Sequence, residues 1–126
     1  MQTYDQKRAR HAYDKVKDVP DDKRAKFKSL ALKFPAMVLQ CGVLSTLAFY
    51  ETQKQDDKRV FKAIDDWLTS HSELPWKTTQ GSSRERLHAQ ETSLWLYRMA
   101  AREALAYGAW LKRATEALLG DVKADI

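Results

Sequence analysis

FPAMVLQCGVLSTLAFY, residues 34–50, runs for seventeen residues without a charge in a chain of which 31% is charged. A bilayer-spanning helix needs about 18 or more apolar residues. This stretch is slightly short, has Pro35 near its start and is interrupted by Gln40, Gly42, Ser45 and Thr46, so a buried helix of a soluble protein is the better reading. Stepped around a helix at about 100° per residue, Met37, Leu44 and Ala48 fall on one side, Val38 and Phe49 on another, and Val43, Leu47 and Tyr50 on a third. A helix apolar on nearly every side has to be covered on nearly every side. Either it is the centre of a bundle, or one face meets another chain.

The sequence on both sides of this stretch reads as helical. Four glycines and three prolines in 126 residues, with apolar residues at three- and four-residue intervals and no strand-like alternation, predict an all-α protein. That length carries one core, so residues 1–126 are expected to form a single compact helical bundle of about five to six helices with a long C-terminal helix. The first helix is expected over residues 3–17, and Asp21 or Asp22 should cap a second that ends near Phe34. Pro35 would end that helix and open the next. Asp56 or Asp57 should cap a fourth, running to about His71 with Val60, Phe61, Ile64, Trp67 and Leu68 inward. HSELPWKTTQGSS, residues 71–83, is the long loop, and Ser82 with Glu85 forms a capping box for a short turn after it.

The last helix should run from about Glu91 to Leu119 and stop at Gly120. Leu94, Tyr97, Ala101, Ala104, Gly108, Leu111, Thr115 and Leu118 make a coiled-coil-like seam that serves as the core face. Trp95, Met99, Ala106 and Trp110 lie roughly opposite, and tryptophans are expensive to leave in water. Trp95, Met99 and Trp110 are therefore candidates for a partner interface. Trp76, in the long loop, is either a stacking platform for a base or folded back over the core.

Charge is unevenly placed. Residues 1–33 hold ten Lys and Arg against five Asp, whereas residues 34–126 hold twelve of each sign, so the whole net charge of +5 is N-terminal. Such a bias suits an acidic partner, nucleic acid above all. Arg98 and Arg102 share one face of the last helix, with no acid three or four residues before either, and Arg113 continues their line over about 22 Å. That spacing suits several consecutive phosphates, bound without regard to sequence. The competing reading pairs these arginines with acids of neighbouring helices, such as Asp65 or Asp66.

Catalysis and cofactors have little support. His11, His71 and His88 show no helical spacing, and no cysteine or carboxylate accompanies them at metal-ligand spacing, so neither a metal nor another cofactor is expected. Cys41, the single cysteine, is expected to be a buried thiol without a basic neighbour. The pairs Asp56, Asp57 and Asp65, Asp66 read as helix-start and polar-face residues. No phosphate-cradling glycine loop is present, and no small-molecule substrate is expected. MQTYDQKRAR at the start is not followed by a signal-peptide core, so a cytoplasmic protein without membrane contact is expected.

Several segments, taken in order, resemble a known family. KFKSLALKFP at 26–35, QCGVLSTLAFY at 40–50, DDWL at 65–68 and YRMAAREALAYGAWLKR at 97–113 are similar to the small helical subunit of the Cmr-type, or type III-B, CRISPR effector complex. Gly42, Val43, Leu47, Ala48 and Phe49 match its middle helix. Tyr97 and Arg98, then Glu103, Ala104 and Leu105, then Trp110, Leu111, Lys112 and Arg113 match its last. The resemblance implies a non-catalytic, all-helical protein in antiviral defence, present in several copies. These copies would stack head to tail as an inner filament beside ferredoxin-like subunits that hold the guide RNA, with target RNA in the channel between and cleavage left to the other subunits. Its partners would be other subunits of the complex, copies of itself, and guide and target RNA. It also implies that the uncharged helix is chiefly the bundle's centre. From the arginine stripe, Lys26, Lys33, Arg98, Arg102, Lys112 and Arg113 are the candidates to face RNA phosphates. A free-standing nucleic-acid binder and a protein–protein adaptor without RNA contact remain the alternatives.

Overall fold

Gly42, not Pro35, divides the uncharged stretch. In the computed structural model, which describes residues 1–124, the second helix runs unbroken through Pro35 to Cys41. A proline inside a helix removes one hydrogen bond and costs about 3 kcal/mol. The helix persists because Phe27, Leu30, Ala31, Phe34 and Val38 are all buried on one face of it, and a break at 35 would take Val38 out of the core. Gly42 has φ 88° and ψ 159°, a region that only glycine occupies readily. Its N–H closes the second helix on the Val38 carbonyl at 2.9 Å, and its own carbonyl accepts from the Thr46 backbone N–H at 3.2 Å and the Thr46 hydroxyl at 2.7 Å.

Six α-helices occur among the described residues, and no strand: α1 Tyr4–Lys17, α2 Arg24–Cys41, α3 Val43–Glu51, α4 Arg59–Asp66, α5 Ser83–Leu87 and α6 Leu94–Leu118. The uncharged stretch thus supplies the end of α2 and all but the last residue of α3. Phe34, Val38, Val43, Leu47 and Tyr50 are in the core, as the bundle's centre requires, while Leu39 is 74% and Phe49 45% exposed. Cys41 is exposed, against expectation, because it sits in the last turn of α2, where the chain leaves the core for the Gly42 break.

The long helix α6 is the spine, packed along both α1 and α2. Ala104, Gly108, Leu111 and Thr115 of the expected seam are buried, but in the first half of α6 the buried line passes through Leu96 and Ala100. Leu94 and Leu118 are exposed. A strict 3.5-residue repeat drifts by about 20° per heptad on a straight helix, so the ends of a seam this long rotate out of the core. Gly108 marks the tightest crossing. A Cβ there would lie 2.6 and 2.8 Å from two ring carbons of Phe34, whose side chain is fully buried.

Helix ends divide into those closed by side chains and those closed by backbone. Ser82 and Glu85 form the expected capping box, and Thr3 with Gln6 forms a second one ahead of α1. The aspartates expected to cap α2 and α4 instead make 3₁₀ turns, Asp21–Lys23 and Gln55–Asp57, and neither helix has a side-chain cap. Arg24 N–H bonds the Asp21 carbonyl, which satisfies a donor that a capping side chain would otherwise take. After Asp66 the fourth helix widens into a π turn, Trp67–His71, closed by Ser72 N–H on the Trp67 carbonyl at 2.8 Å. Trp76 folds back over the core, its indole N–H donating to the Leu68 carbonyl at 3.0 Å. Among the described residues no helix is long and apolar enough to cross a membrane.

Two glycine substitutions separate backbone strain from packing. Gly42→Ala meets no atom within 4 Å yet holds a non-glycine residue at positive φ, so urea unfolding should show a loss of about 1–3 kcal/mol. Gly108→Ala gains up to about 1 kcal/mol of helix propensity but drives a methyl into an immobile ring, so a net loss on the order of 1–3 kcal/mol is expected.

Candidate nucleic-acid and partner interface

The exposed side of α6 lies diametrically away from its buried line. Arg98, Arg102 and Arg113 are exposed, and at about 100° per residue they fall within roughly 60° of one another, with Lys112 on the flank. Arg113 rests its guanidinium 4.8 Å above the Trp110 ring, which leaves its fork free to meet an anion. On α2, Lys26 and Lys33 are seven residues apart and so share one line of that helix; Lys33 is exposed and Lys26 half-buried.

None of these six cations takes part in an ion pair among the described residues. Three acids that could neutralise the stripe, Glu103, Asp65 and Asp66, are held elsewhere. Glu103, next to Arg102 in sequence, receives two hydrogen bonds from Arg8, at 2.6 and 2.8 Å, and one from the Trp67 indole at 2.9 Å. Asp65 accepts from the Ser83 backbone N–H at 2.5 Å, holding α5 against α4. Asp66 is occupied by His11, Lys15 and His71. The reading that pairs the arginines with Asp65 or Asp66 is therefore not what the structure shows.

The three apolar candidates differ in their surroundings. Trp95 is 65% exposed and Leu94 beside it 64%. By helical angle Trp95 lies on the same side as Arg102 and Arg113. Met99 is half-buried and shares a cleft with Arg102, Tyr4 and Leu74. Trp110 packs partly against the core, and its indole donates to Asp5 at 3.3 Å, so α1 already covers much of it.

One cluster escaped the sequence reading. His11 of α1, Asp66 at the end of α4 and His71 at the end of the π turn bring three potential ligand atoms within 4.8 Å of one another. Burial holds His11 below the usual imidazole range against the opposing pull of Asp66. Burial would raise the Asp66 carboxyl, but the His11 hydrogen bond and the positive charges of Lys15 and His71 outweigh it and lower it. Burial and the nearby Asp66 charge push the Tyr107 phenol up, so it stays protonated. Asp66 and His71 are five positions apart, about 140° around an α-helix, which is why the spacing gave no sign of a pair. A π turn closes i to i+5 and brings such residues into line.

The fold and surface of the described residues define a small helical protein built on one long spine helix, with a cationic face and exposed aromatics. The chain matches the family described as CRISPR-associated protein (Cas_Cmr5) over residues 4–118. It is 31% identical over 120 residues to the CRISPR system Cmr subunit Cmr5 of Thermus thermophilus, an alignment covering 94% of this chain and 98% of that protein. The crystal structure of a CRISPR-associated Cmr5 family protein from the same organism superposes with a TM-score of 0.74 at 29% identity, covering 93% of this chain and 98% of that one. The chain belongs to the Cas_Cmr5 family, in agreement with the resemblance carried by its motifs.

Glu103 of the matched Glu-Ala-Leu segment is a structural residue in this arrangement, joining α1 and the π turn to α6. Its carboxylate is 12% exposed and the partner Arg8 side chain 16%. Glu103→Gln should lower stability by about 1.5–3 kcal/mol in urea unfolding, since it removes a charge-assisted pair and leaves the Arg8 guanidinium less well satisfied.

Proposed function

We propose that this protein is a non-catalytic structural subunit of a type III-B CRISPR effector complex. In this reading it stacks on copies of itself as an inner filament and helps to hold guide and target RNA through its basic surface. Family membership supports the complex, and the observation that carries the RNA contact is the exposed arginine line of α6, which has no ion pair among the described residues. Arg98, Arg102 and Arg113 extend over about 22 Å on the side of the spine helix that the bundle leaves uncovered. Contacts of this kind fix the path of an RNA strand and do not read its bases. Lys26, Lys33 and Lys112 add to the same positive surface. The work is done in the cytoplasm, without a membrane or a small-molecule substrate, and cleavage belongs to other subunits.

The exposed Leu39, Phe49, Leu94 and Trp95 favour contacts with neighbouring subunits. They also support a second reading, an adaptor that binds protein alone. Charge reversal separates the two. The variant Arg98→Glu, Arg102→Glu, Arg113→Glu should keep its helical circular dichroism and its Tm within a few degrees, because no ion pair among the described residues is lost. Assembled with its complex, it should retain target RNA more weakly, and the salt dependence of retention should become shallower by roughly one unit of slope per phosphate contact removed. Unchanged retention at every salt concentration would leave the adaptor reading.

A further inference from the structure

We propose that His11, Asp66 and His71 form a binding site for a borderline divalent metal ion, with zinc the cation it fits best. The donor set is two imidazoles and one carboxylate, a combination suited to zinc. Two of the three ligand separations are already close to those of a coordination sphere, and all three atoms lie within 4.8 Å of one another. His11 Nε2 lies 2.8 Å and His71 Nε2 3.2 Å from Asp66 Oδ2. Four ligands placed about 2.0–2.1 Å from a zinc ion stand roughly 3.3 Å apart, so small side-chain rotations would seat the ion between these three atoms.

Three features distinguish the cluster from a chance meeting of polar groups. Its ligands come from α1, the end of α4 and the end of the π turn, so the fold itself holds them together. His11 also has an outer partner: Nδ1 lies 2.6 Å from the Tyr107 hydroxyl, on a residue that is fully buried. In the metal-free protein, His11 Nε2–H donates to Asp66, and Nδ1 accepts from the tyrosine. With an ion on Nε2 the proton moves to Nδ1 and donates to the same phenol oxygen, so one partner serves both tautomers. The His71 ring, in turn, stacks on Trp67, with 6.0 Å between centroids and 13° between planes.

The ion would not be closed off. His11 and His71 line a cleft of about 500 Å³ that also includes Gln2, Asp14 and Glu73. Three protein ligands thus leave a position for water or for an incoming anion. Lys15 Nζ is 3.7 Å from Asp66 Oδ2 and competes with the ion, but its side chain is 43% exposed and can swing into solvent. Lys7 and Arg10 line the cleft too, which favours an anionic fourth ligand over a second cation.

The test uses the full chain with any affinity tag removed, since a polyhistidine tag binds the same ions. Zinc titration by calorimetry should show one equivalent bound, and zinc should raise Tm by several degrees. Cobalt(II), used as a spectroscopic stand-in, should give the intense visible absorption of a four-coordinate ion. His71→Ala removes the exposed ligand and should abolish the cobalt spectrum while leaving the metal-free Tm nearly unchanged. Tyr107→Phe, close to isosteric, should weaken zinc binding about 10–100-fold. Because Cys41 is exposed, a Cys41→Ser variant should bind zinc as the parent does. The proposal is overturned if no zinc binds, or if binding survives His71→Ala or disappears with Cys41→Ser.

Discussion

The contact between Gly108 and the Phe34 ring sets the distance between α2 and α6, and the rest of the bundle is arranged around that distance. With no side chain at 108, the two helices approach closely enough for a fully buried phenylalanine to lie against backbone. Tyr50 then crosses from α3 to reach the Leu30 carbonyl of α2 at 2.5 Å, so α3 is referenced to the same pair. On the other flank of α6, Arg8 and Trp67 meet at Glu103. This brings α1 and the π turn to the spine by polar contact where α2 reaches it by packing. A wider crossing would loosen the first set of contacts without relieving the second.

Much of this architecture was legible in local pattern. The helical class, the long terminal helix, the loop at 71–83 and the Ser82–Glu85 capping box follow from spacing and from turn chemistry confined to a few residues. Pro35 and Gly42 illustrate what was not. Both are helix breakers by propensity, and the choice between them rests on which break would pull Val38 and Phe34 out of the core, a tertiary matter. The same holds for Asp21, Asp22, Asp56 and Asp57, which read as caps but sit in 3₁₀ turns whose backbone bonds replace the cap.

The candidate surface was legible in part for a related reason. An arginine line on one helix face is a property of that helix, so Arg98, Arg102 and Arg113 could be found from spacing. Whether acids neutralise them depends on where Glu103, Asp65 and Asp66 are drawn by other elements, and that is set by the fold. Each of these three acids has partners of its own, and among the described residues the line stays unpaired. Family resemblance added the identity of the chain, which composition and periodicity could not have supplied.

The π turn gives the chain a form of counting. An α turn closes on the fourth residue and a π turn on the fifth, so the segment 67–71 accommodates one residue more than a regular helix would. Removing one residue there would let the segment relax into α-helix, whose i and i+4 positions share a face as the i and i+5 positions of the π turn do. His71 would then stand four residues after Asp66 on the same face, and the loop holding Trp76 over Leu68 would still leave from that side of the helix. A one-residue deletion inside a regular helix such as α6 would instead turn everything beyond it by about 100°. Length at this point is therefore under looser constraint than in the regular helices.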